Sequence, residues 1–275
     1  MTNVTLRTIS GVGFIAVMLA CLLLNKFLFA ALIIFIMIGM MAEFYKFTMG
    51  DSYEFSRILA IVAGVVLFCL IFLAEVYAIP FAFVSLALLP VFIVMINSLY
   101  VRDKTDFGKF SNIYTGLLYI AIPLALSNLI AIQDGELNGM LLVCFFIIIW
   151  CSDVGAFVAG ITLGQKYGKK LFPSISPKKS WMGFWGGLAT AILASLVLNL
   201  TGMLEIPIIH SIVLAIVMDV AGVYGDLFES QWKRYYNVKD SGNLIPGHGG
   251  LLDRFDSTLF AVPVGAIYMV IMNLL

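Results

Sequence analysis

Long apolar runs separated by short polar stretches dominate the pattern of hydrophobic and polar positions along the chain. Each run approaches the ~20 residues that an α-helix needs to cross the hydrocarbon core of a bilayer. The pattern therefore predicts an all-α polytopic membrane protein with about nine transmembrane helices. The predicted spans are 8–25, 27–45, 57–76, 78–99, 113–133, 138–162, 183–203, 207–229 and 252–274.

The amino-acid composition supports this interpretation. Apolar residues make up 62% of the chain and charged residues 12%, whereas soluble domains carry roughly 45–50% and about 25%. A water-soluble fold of this composition would lack the polar surface to cover itself. We interpret the first run as a span rather than a cleaved signal peptide, because many similar runs follow it. Pro90, Pro123 and Pro263 lie inside spans, where each removes a backbone donor and predicts a local kink.

The distribution of basic residues predicts the orientation in the membrane. If the N-terminus is cytoplasmic, fifteen of the sixteen Lys and Arg residues lie on the cytoplasmic side and only Lys26 lies on the other. The positive-inside rule therefore places the N-terminus in the cytoplasm and the C-terminus on the opposite side.

Two long polar loops, 164–183 and 233–250, lie on the predicted cytoplasmic side. We interpret the whole chain, 1–275, as a single integral membrane domain. Residues 1–133 hold the N-terminal spans, and residues 138–275 form the half that carries the candidate chemistry.

A helical face near the end of the eighth span combines charges of both signs. Asp226, Ser230, Lys233 and Arg234 are spaced i, i+4, i+7 and i+8, so they share one side of a helix that continues towards the cytoplasm. A carboxylate this close to a membrane is unfavourable unless it pairs with or binds a cation. By contrast, acidic residues at other span ends, such as Glu43, are interpreted as solvated interface positions.

A glycine-rich turn follows this face and leads into the ninth span. The sequence Pro-Gly-His-Gly-Gly at 246–250 excludes regular helix and can bring backbone N–H groups close to an anion. For His248 within it, ligand contact and simple hydrogen bonding in the loop are equally open. Asp253 and Asp256 then open the ninth span at i and i+3. With Asp226 and a phosphate ligand they would suit a hard cation such as Mg²⁺; capping of the helix dipole and an internal salt-bridge network are the alternatives.

The other long loop contains a second candidate for phosphate binding. Ser176-Pro177-Lys178-Lys179-Ser180 predicts a turn with hydroxyls and two ammonium groups. The lysines are equally well explained as ordinary positive-inside residues or as contacts to anionic lipids.

The segment from Ser230 to Asp256 resembles the signature of the phosphatidate cytidylyltransferases (CDP-diacylglycerol synthases). Its Ser, Lys-Arg, Lys-Asp, His-Gly-Gly, Asp-Arg and final Asp occur at the spacing of the family pattern. The Ser-Pro-Lys-Lys segment, followed by Trp and Gly, is similar to the family's other motif. Met182 stands where the family commonly has Glu, and Phe157 where it often has Tyr. The resemblance covers the C-terminal half by motif and the N-terminal half only in hydropathy.

This resemblance implies transfer of CMP from CTP to phosphatidic acid, giving CDP-diacylglycerol and pyrophosphate for phospholipid synthesis. It implies Mg²⁺, allows K⁺ as a second cation, and implies a homodimer in contact with membrane lipid and without a nucleic-acid partner. The expected location is the bacterial cytoplasmic membrane, with the active site facing the cytoplasm. The implied metal ligands are Asp226, Asp253 and Asp256; the implied catalytic residues are Asp226, Lys233, Arg234 and Asp253; the implied substrate-binding residues are Ser176, Lys178, Lys179, Ser230, Lys239, His248, Gly249, Gly250 and Arg254.

Two other classes of function compete with this interpretation. A CTP-dependent polyprenol or phytol kinase would transfer the γ-phosphate, and the full signature argues against it. A transporter or channel would suit the many spans and Asp219, which lies on the same side of the helix as Asp226. The charges cluster on one side only, however, and no pair of discontinuous spans indicates inverted repeats.

Overall fold

The computed structural model describes residues 3–100, 107–164, 168–244 and 249–275, and most of them are helical. Its first half contains a 3₁₀ segment, Phe81–Ala87, a π-helical turn, Leu117–Ala121, and one short hairpin. The elements are α1 (Asn3–Leu24), α2 (Lys26–Met49), α3 (Glu54–Tyr77), α4 (Leu88–Ser98), α5 (Phe107–Gly116), α6 (Ile122–Ala131), β1 (Ile132–Gln133) and β2 (Glu136–Leu137).

The second half contains longer helices and a second hairpin. A π-helical turn, Gly160–Gly164, ends the first of these helices. The elements are α7 (Gly139–Ala159), β3 (Lys170–Phe172), β4 (Ser176–Ser180), α8 (Trp181–Leu200), α9 (Ile208–Tyr235), α10 (Leu252–Phe255) and α11 (Thr258–Ile271).

The polytopic all-α fold is confirmed. Among the described residues, eight helices are long and apolar enough to cross a membrane, and Gly11–Leu24 forms a shorter apolar helix where the first span was predicted. Large apolar side chains such as Phe35 and Phe55 are exposed on the helices, as expected of surfaces that face lipid. The predicted orientation of the termini stays a prediction.

Local departures from the predicted spans have identifiable causes. The π-helical turn at Leu117–Ala121 ends two residues before Pro123, which cannot donate the hydrogen bond of a regular helix. Through Pro263, in contrast, α11 runs without interruption. Helix α9 extends past the predicted end at 229, so Lys233 and Arg234 lie in its last turn and not in a loop.

The fold divides into two compact units, and the first comprises residues 1–139 and 238–254. Small residues let its helices approach closely. The Tyr45 hydroxyl donates a 2.9 Å hydrogen bond to the Ile113 carbonyl, and a Cβ at Gly116 would lie 2.5 Å from that hydroxyl oxygen. Tyr45 is buried on α2. This packing fixes the C-terminal part of α2, where Glu43 also lies.

The second unit comprises residues 140–237 and 255–275. Its α7 and α8 meet through small side chains: a Cβ at Gly183 would lie 3.0 Å from the Ala156 carbonyl oxygen. Close backbone approach of this kind is typical of helix pairs in membranes. The Ser180 hydroxyl begins α8 by accepting the Gly183 N–H at 3.2 Å. Since Ser180 also ends β4, the hairpin is attached directly to α8.

Candidate active site

A contact between Lys179 and Asp226 joins the two segments that the sequence singled out. Lys179 Nζ on β4 lies 2.6 Å from Asp226 Oδ2 on α9, and the two side chains are 25% and 31% exposed. The other oxygen of Asp226 accepts a 3.2 Å hydrogen bond from the Ser230 hydroxyl, as their helical spacing predicts. The Asp226 carboxylate therefore forms an ion pair with a lysine on a strand and accepts a hydrogen bond from a serine on its own helix.

Two more carboxylates belong to this cluster. Asp153 on α7 and Asp256 before α11 each interact electrostatically with Asp226. Asp256 Oδ1 accepts the Ser257 N–H at 2.7 Å. Sequence reasoning missed Asp153, because it lies within an apolar run and was assigned to the span. We call Asp153, Lys179, Asp226, Lys233 and Asp256 the acidic–basic cluster.

Lys233 has its own partner on α9. It forms an ion pair with Glu229, one turn earlier, whose side chain is only 1% exposed. Glu229 was not among the residues predicted from the sequence, although its i, i+4 spacing from Lys233 is a recognised signal for such a pair. Lys233 also interacts electrostatically with Asp256, so its positive charge is shared between the carboxylates of Glu229 and Asp256.

The Ser-Pro-Lys-Lys segment is a strand and not the predicted turn. Residues 176–180 form β4, which pairs antiparallel with β3, and the turn lies just before it. Successive strand side chains point to opposite faces, which explains why Lys178 is exposed while Lys179 is half-buried. Arg234 Nε donates a 3.3 Å hydrogen bond to the Ile175 carbonyl in the turn. The lysine pair therefore does not act as one unit.

In the first unit, Asp253 closes the glycine-rich loop on itself. Its carboxylate accepts the Ser241 N–H at 3.1 and 3.0 Å and the Gly250 N–H at 2.8 Å. Gly249 has a φ of +83°, a backbone conformation that favours glycine. The N–H of Gly250, expected to face an anion, thus meets an anion supplied by the chain.

Glu43 corrects an expectation from the sequence, which interpreted it as a solvated interface position. It is only half-buried, but its carboxylate accepts hydrogen bonds from the backbone N–H groups of Leu251 and Leu252. Of the remaining predicted residues, Lys239 and Arg254 are exposed in the first unit and Ser176 is half-buried in the second. His248 lies outside the described residues.

Asp219 lies deeper along α9. It is 4% exposed and accepts a hydrogen bond from the Ser152 hydroxyl. Its Oδ2 has no hydrogen-bond partner within the part of the chain that the structure describes. This buried carboxylate is held by α7 rather than by a basic side chain.

The acidic–basic cluster has the chemistry of a site for a hard cation. Carboxylate oxygens are the ligands that Mg²⁺ prefers, and Lys179 and Lys233 offset only part of the charge of three neighbouring carboxylates. Across the described ranges, no three His, Cys, Asp or Glu side chains converge in the arrangement that a metal ion needs. The carboxylates of the cluster are thus of the type that Mg²⁺ prefers, but the magnesium site itself stays a prediction.

Comparisons with known proteins identify the family to which the chain belongs. A sequence model described as the cytidylyltransferase family matches residues 5–272. The chain therefore belongs to the cytidylyltransferase family.

Curated relatives carry a more specific name. The chain is 37% identical to a phosphatidate cytidylyltransferase of Bacillus subtilis (strain 168) over 66% of its own length and 64% of the relative's. It is 34% identical to the phosphatidate cytidylyltransferase of Rickettsia bellii, covering 78% of this chain and 91% of that one. With the enzyme of the same name from Rickettsia prowazekii, the identity is 30% over 95% and 90% of the two lengths.

Proposed function

We propose that this enzyme transfers CMP from CTP to phosphatidic acid, giving CDP-diacylglycerol and pyrophosphate. The Lys179–Asp226 ion pair is the observation that carries the proposal. It brings a cation from one motif onto a carboxylate of the other, at the point where two anionic substrates would have to meet. The names of the relatives support the choice of substrates.

The reaction needs no nucleophile from the protein. A phosphate oxygen of phosphatidic acid, already ionised at neutral pH, forms a new bond to the α-phosphorus of CTP. The bond from that phosphorus to the bridging oxygen breaks in line, and pyrophosphate leaves with the electron pair. Catalysis then consists of positioning the two substrates and neutralising charge.

Lys179 and Lys233 would reduce the repulsion between the two anionic substrates, because both already face carboxylates of the cluster. Arg234 would add a third cation next to the hairpin turn. Ser230 would keep Asp226 oriented through its hydrogen bond. These residues bind and orient, and none of them has to accept a proton.

Magnesium, when bound, would neutralise phosphate oxygens and stabilise the leaving pyrophosphate. We assign its binding to Asp226 and Asp256, whose carboxylates interact. Asp253 was also predicted as a ligand from the sequence, and that role stays a prediction. Potassium as a second cation, a homodimer, and an active site on the cytoplasmic face of a bacterial inner membrane belong to the same proposal.

The test uses purified protein in detergent with phosphatidic acid, Mg²⁺ and CTP labelled in its α-phosphate. Label that enters the organic phase, and is lost when the metal is chelated, supports the proposal. Label that reaches a polyprenol or phytol only from the γ-phosphate of CTP would instead identify a lipid kinase and overturn it.

A further inference from the structure

The glycine-rich loop is held by a carboxylate from a distant helix. We call residues 238–244 and 249–252 the signature loop. Glu43 on α2 accepts the Leu251 N–H at 3.0 Å, the Leu252 N–H at 2.9 Å and the Ser241 hydroxyl at 3.2 Å. Its partners are up to 209 positions away in the sequence. A single side chain thus contacts both ends of the loop.

The glycines of the loop match this carboxylate in shape. A Cβ at Gly250 would lie 2.6 Å from Glu43 Oε2, and a Cβ at Gly242 would collide with Glu43 Oε1. Neither glycine has a positive φ, so backbone conformation does not require glycine there. Close approach of Glu43 does.

Ser241 is fixed from two sides. Its hydroxyl donates to Glu43, and its N–H donates to Asp253. Hydrogen bonds to an ionised carboxylate are shorter and stronger than neutral ones. Since Asp253 is itself in the signature, Glu43 and Asp253 together form a clamp that sets the spacing between the two ends of the loop.

We infer that Glu43 is a positioning residue, which holds the signature loop in the conformation that binds the nucleotide. The inference rests on the proposed function, because Lys239 and Gly249 of the loop are predicted to bind substrate. The hydrogen bonds of Glu43 go to Ser241, Leu251 and Leu252, so it acts through the loop. An N-terminal helix, which carries none of the signature, thereby becomes part of the substrate-binding machinery.

Glu43→Gln tests this directly. Glutamine has the same size, but it presents an NH₂ group to one of the backbone N–H groups that the carboxylate accepts. We expect KM for CTP to rise about tenfold or more, as for the loss of a hydrogen bond to a charged group. Amide hydrogen exchange should accelerate at residues 249–252, with little change in kcat or in the unfolding temperature.

The matched control is Glu54→Gln, the same change on an exposed glutamate at the start of α3. It should leave KM, kcat and hydrogen exchange at their wild-type values. Ser241→Ala removes one donor to Glu43 and retains the backbone contact with Asp253. It should raise KM for CTP about threefold, and combining it with Glu43→Gln should add little, because both changes remove the same contact.

The outcomes separate this inference from the proposed function. A fall in kcat with unchanged KM and a lower unfolding temperature would mean that Glu43 only stabilises the fold, and would overturn the inference. So would wild-type KM and hydrogen exchange in both Glu43→Gln and Ser241→Ala. If the wild-type enzyme makes no CDP-lipid, the proposed function fails. Hydrogen exchange would still test whether Glu43 fixes the loop. Unchanged exchange in the variants would refute that role, and faster exchange would support it.

Discussion

Lys179 lies on β4, the strand that leads into α8, and Asp226 lies in the C-terminal part of α9. Their charged atoms are nevertheless 2.6 Å apart. The pair is partly exposed, so it contributes little to stability; comparable pairs are worth about 0–1 kcal/mol. Its placement therefore points to chemistry rather than to folding.

Lys179→Met should separate these two roles. We expect kcat/KM for CTP to fall on the order of 100-fold, because a cation that offsets substrate charge is lost. The unfolding temperature in detergent should hardly change. Lys170→Met, an exposed lysine on the neighbouring strand, is the control and should keep full activity. Equal activity of the two variants would show that Lys179 only pairs with Asp226.

Asp226→Asn should remove the negative charge at the centre of the acidic–basic cluster. We expect loss of transfer on the order of 1000-fold, with normal insertion into the membrane. The variant should also lose the Mg²⁺-dependent change in intrinsic tryptophan fluorescence that we expect of the wild-type protein. Asp51→Asn, at an exposed turn, serves as the control. Normal turnover by Asp226→Asn would contradict the metal assignment.

Several of these relationships could be predicted from sequence, and the reason others could not is physical. The apolar runs define the spans, and the spacing of four between Asp226 and Ser230 places them in contact. Helical periodicity carries no information about partners on other elements. The donors to Glu43 include backbone N–H groups up to 209 positions away. The residue types near Glu43 therefore could not predict these hydrogen bonds.

Signals of different strength were available for the other missed residues. Glu229 precedes Lys233 by four positions, so the pair was detectable from spacing alone. Asp153, in contrast, interrupts an apolar run without any local partner. Only the packing of α7 in the second unit brings it towards Asp226. A charged residue inside a predicted span therefore indicates a functional site, even where its partner cannot be predicted.

Glu229→Gln should destabilise the protein, by at most roughly 3 kcal/mol, because it removes one of the two carboxylates that offset the charge of the largely buried Lys233. The double variant Glu229→Gln, Lys233→Met should recover much of the unfolding temperature, since replacing both members of a buried pair is often neutral. Transfer activity should stay low in the double variant, because Lys233 is gone. Recovery of activity together with stability would assign Lys233 a structural role only.

Two glycines one turn apart on α9 give the most direct test of how the cluster is assembled. A Cβ at Gly225 would lie 2.5 Å from the Asp256 carbonyl oxygen, whereas a Cβ at Gly222 would meet the Ser257 Cβ at an ordinary 3.5 Å. Gly225→Ala must therefore displace the backbone that carries Asp256, and Gly222→Ala need not displace anything. We expect at least a tenfold loss of kcat for Gly225→Ala, on the scale of a 1 Å misplacement, and near wild-type activity for Gly222→Ala. Because both changes add the same methyl group to the same helix, equal activities would show that the position of Asp256 does not limit transfer.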